Sequence, residues 1–326
     1  MIGDRRDGKR TMWASWLLFL VGLGGLYFGA EILVRGSATL AVSLGVRPLL
    51  VGLTVVALGT SAPEFVVSFL AAIDGAGDIA LGNVVGSNIS NIALIIGLVT
   101  LLFPVRFGRP VIRRDLTIML CVSVLFFLLS WNRSLSRGDG LLLSATFLGY
   151  LLYSVYQGLH GEHSVDVPEV EEKELRLWTT IGKVVVGLAL LIWSGETLVT
   201  TSTEIARIFR VPEWLIGLTM LAVGTSLPEL ATSLVSVAHG HREIFIGNIV
   251  GSNIFNILFV IGPVAVLRPI EVHADYLSME FLVMLGFSLT LFLWMQRKTH
   301  IPRYFGGGLF IGYILFIAFL GIRWLR

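Results

Sequence analysis

The sequence predicts an all-α integral membrane protein, with ten transmembrane helices in two five-helix repeats of inverted topology. Three observations predict it. The 326-residue chain is 55% hydrophobic and only 14% charged, with a mean hydropathy of +0.83, whereas soluble chains carry about 25% charged residues. Apolar runs of roughly 20 residues, the length an α-helix needs to cross a bilayer, recur along nearly the whole chain. The chain also repeats itself at a fixed offset: Gly52–Pro104 superimposes on Gly217–Pro269 without a gap, and 26 of the 53 positions are identical. The runs lack the apolar-polar alternation of membrane β-barrel strands.

A charged tail with Arg5, Arg6, Lys9 and Arg10 precedes the first apolar run, Met12 to Val34. Basic residues before an apolar run also describe a signal peptide. The repeat argues against that reading, because its register extends back to Glu31 and Glu196, and the counterpart of the first run is internal. The run is therefore read as helix 1. Further spans are expected over 46–73, 79–103, 116–131, 139–157, 178–200, 212–238, 244–267, 277–295 and 304–322.

Residues 158–177 form an acidic central loop, with Glu162, Asp166, Glu169, Glu171, Glu172 and Glu174. It lacks the ligand spacing of a calcium loop and reads as a solvated linker. It divides a first repeat, 1–157, from a second, 178–326. Five helices per repeat is an odd number, so the second copy must enter the membrane from the opposite side. That is the design of many secondary transporters, whose substrate site lies near the midplane between the repeats.

Apart from the N-terminal tail, the membrane side bearing the termini receives 7 Lys and Arg against 13 on the other. The positive-inside rule then puts the central loop in the cytoplasm and both termini outside. A net charge of +2, scattered along the chain, gives no basic patch for nucleic acid. The single cysteine, Cys121, lies in an apolar run and reads as a small core residue.

The polar residues inside the spans carry the functional signal. Gly59-Thr60-Ser61-Ala62-Pro63-Glu64 recurs as Gly224-Thr225-Ser226-Leu227-Pro228-Glu229. An acid in a transmembrane helix is costly and marks function by default, and no Lys or Arg lies in either span to neutralise these two. Thr60 and Ser61 lie four and three residues before Glu64, and Ser68 four after it, so they share its helical face. Pro63 lacks an amide hydrogen and crowds the carbonyl of Gly59, so carbonyls around Ala57 to Thr60 are expected to leave the helical ladder. Non-helical backbone at membrane depth persists only against protein or a cavity.

The second repeated element is Gly82-Asn83-Val84-Val85-Gly86-Ser87-Asn88-Ile89-Ser90-Asn91 and Gly247-Asn248-Ile249-Val250-Gly251-Ser252-Asn253-Ile254-Phe255-Asn256. Asn83 and Asn248 are expected to cap or pack. Glu31, with Arg35 one turn away, and Glu196 are expected near helix ends in an interfacial role. The collected ligands are all oxygens, which suits a hard cation such as Ca²⁺ better than softer metals.

These two motifs, GTSAPE with GNVVGSNISN and GTSLPE with GNIVGSNIFN, resemble the paired α-repeats of the calcium/cation antiporter superfamily, the sodium/calcium exchangers and their prokaryotic relatives. The resemblance implies a ten-helix exchanger in a prokaryotic plasma membrane, transporting Ca²⁺ and Na⁺ without a cofactor or an obligatory protein partner. By position it implies Glu64 and Glu229 as central ligands shared by both ions. Ser61, Ser87, Ser226 and Ser252 would flank them. Thr60, Thr225 and the carbonyls of Ala57 and Ala222 would complete the coordination, with Asn91 and Asn256 at the centre and helices 1 and 6 sliding. Some relatives carry Asp where this chain has Asn256, an acid linked to K⁺, so Asn256 argues against K⁺ dependence.

Two carboxylates supply a charge of −2, which one Ca²⁺ neutralises and three Na⁺ would leave at +1. Exchange of Ca²⁺ for Na⁺ is therefore the expected activity. The alternatives are a Ca²⁺/H⁺ antiporter using the same acids and, in another class, a cation channel. An intramembrane enzyme is disfavoured because Ser and Glu lack a membrane His or Lys base nearby.

Overall fold

A computed structural model of the chain describes residues 4–106, 109–160, 177–209, 224–272 and 279–324. The acidic loop from 161 and the first part of the expected 212–238 span lie outside the described residues. Eleven helices are described: α1 Asp4–Ser43, α2 Pro48–Thr60 and α3 Ala62–Ile73, α4 Gly77–Leu102, α5 Arg109–Leu129 and α6 Arg137–His160. They continue with α7 Leu177–Ile208, α8 Leu227–Ala238, α9 Arg242–Leu267, α10 Glu280–Arg297 and α11 Arg303–Trp324. Six of them are long and apolar enough to cross a membrane, and α2 with α3 makes a seventh, broken span bent by 42°. The chain is thus an all-helical membrane protein.

Burial sorts these helices. In α4 and α9, 78% and 83% of the apolar span is buried, against 28–39% in the other long helices, so α4 and α9 form the centre. They pack with α5, α6, α10 and α11 in one apolar core that includes Ile92, Ile96, Phe126, Ile254 and Phe281. A second core joins α1 and α7 to α2 and α8 through Leu33, Val34, Val51, Leu191 and Val235. Small residues let backbones meet, as membrane interfaces require where lipid supplies no hydrophobic drive. A Cβ on Gly247 would lie 2.7 Å from the Leu49 carbonyl oxygen and 2.9 Å from the Leu53 amide nitrogen, and one on Gly52 would lie 2.8 Å from the Ile244 carbonyl oxygen. α2 and α9 therefore touch backbone to backbone.

Two short antiparallel ribbons close the ends of the bundle. β1 (Val105–Arg106) pairs with β4 (His300–Ile301), and β2 (Ser134–Leu135) with β3 (Ile270–Glu271). In the register that carries Gly52 onto Gly217, β1 falls on β3 and β2 falls almost on β4. The sequence repeat is therefore also a repeat of contacts.

Cys121, expected as a small core residue, is exposed on α5, and two further expectations change. Helix 1 does not stop at Val34 but runs on to Ser43. The Arg35 charge is absorbed by an ion pair to Glu31 at 2.6 Å, one turn earlier, and Gly36 packs on Lys183 and Val184 of α7. The second change follows from the way α1 and α7 cross. They run antiparallel, with Gly22 against Leu198, Gly29 against Leu191 and Gly36 against Val184. Glu31 and Glu196 therefore sit only a few residues from the middle of the crossing, not near helix ends. Glu31 is half-buried, with His239 Nε2 at 4.0 Å as well as Arg35, while Glu196 is exposed on α7.

Candidate functional site

The site begins with a break in a helix. Ser61, at φ −81° and ψ 4°, is the one non-helical residue between α2 and α3. Pro63 falls in the first turn of α3, where its missing amide costs no intrahelical bond. Ser226 repeats that geometry at φ −88° and ψ 6°, with Pro228 in the first turn of α8. The break places Glu64 and Glu229 in the first turns of two twelve-residue helices. A helix N-terminus carries about half a positive charge, so each carboxylate sits where the backbone favours an anion.

The break is narrower than expected. The Ala57 carbonyl stays in the ladder: it accepts the Ser61 N–H at 3.0 Å and the Thr60 hydroxyl at 3.4 Å. Pro63 deprives only the carbonyl four residues before it, so the disruption ends at Gly59. Ala222, the matching carbonyl, lies outside the described residues.

Glu64 and Glu229 are both fully buried, and among the described residues no ion pair involves either. Each carboxylate collects hydroxyls. Ser87 donates to Glu64 Oε1 at 3.4 Å, while Ser252 and Ser61 donate to Glu229 Oε1 at 3.5 Å each. The Ser87 and Thr225 hydroxyls are 3.4 Å apart, as are those of Thr60 and Ser252. Most of these contacts join one half of the chain to the other. The separations are long for O–H···O bonds, whose usual length is about 2.7–2.8 Å. The oxygens are gathered without being drawn tightly together.

These contacts leave several polar atoms over. Glu64 Oε2, Glu229 Oε2, Ser226 Oγ, Asn256 Oδ1 and both amide atoms of Asn91 are buried without a hydrogen-bond partner. Buried polar groups are nearly always satisfied, so the free oxygens of Glu64, Glu229, Ser226, Asn91 and Asn256 make this a candidate cation site. The donor set is hard oxygen throughout. Among the described residues no group of three or more His, Cys, Asp or Glu competes with it.

Of the residues singled out by sequence, the structure gathers two clusters, Thr60, Ser61 and Ser252 with Glu229, and Ser87 and Thr225 with Glu64. Asn91 and Asn256 lie one turn beyond Ser87 and Ser252, both buried. Asn256 donates to Asn88 Oδ1 at 3.4 Å, a partner that the motif does not single out.

Two further features escape a reading of the sequence. The backbone turns into wider π-helix over Ser90–Ile96 and Asn256–Ile261, beside those two asparagines, and over Gly52–Val56 before the break. Such bulges often occur at functional sites. Asn83 does more than pack: its Nδ2 donates to the Glu64 carbonyl at 3.1 Å and to Ser68 Oγ at 3.0 Å, and its Oδ1 accepts from Thr225 at 3.4 Å. Among the described residues, Asn248 accepts only from Thr60, at 3.0 Å, and its Nδ2 has no partner. The available signal for Asn83 is its recurrence as Asn248 in the second copy of the motif.

The two asparagines should therefore differ when removed. Asn83→Ala leaves a buried carbonyl and two hydroxyls short of partners, a cost of about 1–3 kcal/mol. It should lower the thermal midpoint in detergent more than Asn248→Ala does. A smaller loss for Asn83→Ala than for Asn248→Ala contradicts the bridging role.

The family described as sodium/calcium exchanger protein matches residues 14–156 and 179–321, two stretches in the same register as the internal repeat. The putative antiporter CaxA of Alkalimonas amylolytica is 38% identical over 320 residues, covering 96% of this chain and 99% of its own. The sodium/calcium exchanger MaX1 of Methanosarcina acetivorans is 32% identical, covering 94% of this chain and 98% of its own. The solved structure of the sodium-calcium exchanger NCX_Mj, soaked with Na⁺ and Ca²⁺, superimposes with a TM-score of 0.82 at 28% identity, over 94% of this chain and 98% of that one.

Proposed function

Because this chain belongs to the sodium/calcium exchanger protein family, we propose that it exchanges Ca²⁺ for Na⁺ across a membrane at a site centred on Glu64 and Glu229. At the coarser level it is a cation antiporter of the multi-pass helical membrane class and not an enzyme. The finer reading rests on one observation above others: two buried carboxylates, without a basic partner among the described residues, each accepting from serine hydroxyls, with contacts that cross between the two halves of the chain.

In this reading Glu64 and Glu229 hold either load. Thr60, Ser61, Ser87, Thr225, Ser226 and Ser252 supply neutral oxygens, and Asn91 and Asn256 supply amide oxygens at the centre. Ca²⁺ takes about six to eight oxygens, a number that the two carboxylates together with these hydroxyls and amides can supply. One Ca²⁺ cancels the pair of charges, and three Na⁺ exceed it by one, so the two loads exclude each other. Exchange at three to one moves one net charge per cycle and responds to voltage at about 2.3 kcal/mol per 100 mV.

The proposed architecture is ten spans in two inverted repeats, 1–157 and 178–326, separated by the acidic loop. The paired ribbons and the shared register of the site contacts support it. With the termini outside, the loop faces the cytoplasm. The separate core shared by α1 and α7 supports their sliding over the central helices as the step that alternates access.

The coupling ion is tested by ⁴⁵Ca²⁺ uptake into proteoliposomes. Uptake is expected to follow an outward Na⁺ gradient and to be indifferent to a pH gradient alone. Uptake that follows the pH gradient and ignores Na⁺ makes the protein a Ca²⁺/H⁺ antiporter instead. Unitary currents in planar bilayers would make it a channel.

A further inference from the structure

We infer that α8 carries an additional cation subsite: a lane of hydroxyls from Thr232, Ser233 and Ser236 that connects Glu229 to the membrane face where α8 ends. The inference rests on the exchanger reading above, and α3 has no equivalent lane.

Residues 229, 232, 233 and 236 are spaced three, one and three apart, which puts them on one helical face. That face runs about 10 Å along the helix axis. Thr232, Ser233 and Ser236 are fully buried, and the hydroxyl oxygen of each has no hydrogen-bond partner.

Elsewhere among the described residues, Ser37, Ser144 and Ser194 are also buried without a partner, but each stands singly on its own helix, and other hydroxyls bond back to the chain. Thr39, Thr54, Thr100, Ser123, Ser130 and Thr201 all donate to the carbonyl four residues earlier. That back-bond is the usual resort of a hydroxyl in a membrane helix. On α8 the three hydroxyls forgo it, and each remains an unsatisfied buried group. A row of unsatisfied oxygens beginning at a carboxylate asks for positive charge.

The lane's own oxygens are neutral, so its occupant is a small monovalent cation, Na⁺ in the first place. A divalent ion wants more oxygens and formal negative charge than the lane supplies.

Comparison with α3 makes the feature one-sided. The matching positions of the first repeat are Val67, Ser68 and Ala71. Ser68, the one hydroxyl retained, is tied to the Asn83 amide at 3.0 Å. On α8 the matching pair, Ser233 and Asn248 Nδ2, are both unbonded. The two mouths of the transporter therefore differ in sequence, and Na⁺ is passed along hydroxyls on one side only.

Two measurements test this. Ser236→Cys in a Cys121→Ser background is reconstituted into liposomes and exposed to a membrane-impermeant, cationic methanethiosulfonate from each side. Modification from one side only, slowed about tenfold by saturating Na⁺, is expected, with Ala71→Cys unreactive from both sides. The triple variant Thr232→Val, Ser233→Ala, Ser236→Ala should lose about tenfold in maximal exchange rate while keeping its apparent Ca²⁺ affinity.

An unreactive Ser236→Cys, reactivity that Na⁺ leaves unchanged, or a triple variant exchanging at the unsubstituted rate overturns the lane. Ala71→Cys as reactive as Ser236→Cys overturns its one-sidedness. If the triple variant does not fold, the cysteine protection decides alone. An unsubstituted protein with no gradient-driven Ca²⁺ flux would instead sink the exchanger reading, while Na⁺ protection of Ser236→Cys would still report on the lane.

Discussion

Glu64→Gln and Glu229→Gln should each lower Ca²⁺ exchange by about a hundredfold or more, equivalent to roughly 3 kcal/mol of lost stabilisation of the bound ion. The substitution is narrow. Glutamine keeps the shape, and its Oε1 can still accept from Ser87 at position 64 or from Ser61 and Ser252 at position 229. What disappears is one of two negative charges opposite a divalent ion. The same variants should be at least as heat-stable as the unsubstituted protein in cation-free buffer, because an unpaired charge buried without a counter-ion destabilises a fold. Lost exchange with undiminished stability separates a ligand from a structural acid. Exchange at full rate in both variants, measured as ⁴⁵Ca²⁺ flux, rules out the site.

Gly247→Val and Gly251→Val should prevent correct assembly. A Cβ at Gly251 would lie 2.7 Å from both Ala57 Cβ and the Leu53 carbonyl oxygen, and at Gly247 the nearest atoms are all backbone. No side chain can swing aside there, so α9 has to separate from α2. Overpacking a well-filled core costs about 1–3 kcal/mol even where side chains give way, and a backbone wall gives way less. The consequence reaches the site, since this crossing brings Thr60 to Asn248 and Ser252. The expected result is loss of a monodisperse species in detergent, or a thermal midpoint lowered by many degrees. Valine variants that match the unsubstituted protein in both respects would mean that α2 and α9 are not in backbone contact.

Much of this site is legible in the sequence alone. Two acids stand in apolar runs with no Lys or Arg beside them, and one fixed offset pairs each element of the first motif with its counterpart in the second. Pro63 and Pro228 announce the helix breaks, because a proline within a span perturbs the ladder wherever it falls. The extent of the break is less legible: only Ser61 leaves helical geometry, and the Ala57 carbonyl stays bonded.

The π-helical turns at Asn91 and Asn256 leave no mark in the sequence, since a shift from four- to five-residue bonding changes neither composition nor periodicity noticeably. The sequence reading cuts helix 1 short at Val34 because Arg35 looks like an end. The ion pair to Glu31 and the packing of Gly36 on α7 carry the helix past it. The choice of partners across the halves, such as Ser61 with Glu229, depends on how α2 and α8 approach. Two nearly identical motifs leave that choice open.

The central claim is that one pair of carboxylates holds either ion. Equilibrium ⁴⁵Ca²⁺ binding to the purified protein, titrated with Na⁺, tests it most directly. Competitive displacement is predicted, with Na⁺ weakening the apparent Ca²⁺ affinity at unchanged capacity, and binding abolished in Glu64→Gln and Glu229→Gln. Ca²⁺ bound to both variants as tightly as to the unsubstituted protein, or Na⁺ that lowers capacity without shifting affinity, would contradict it.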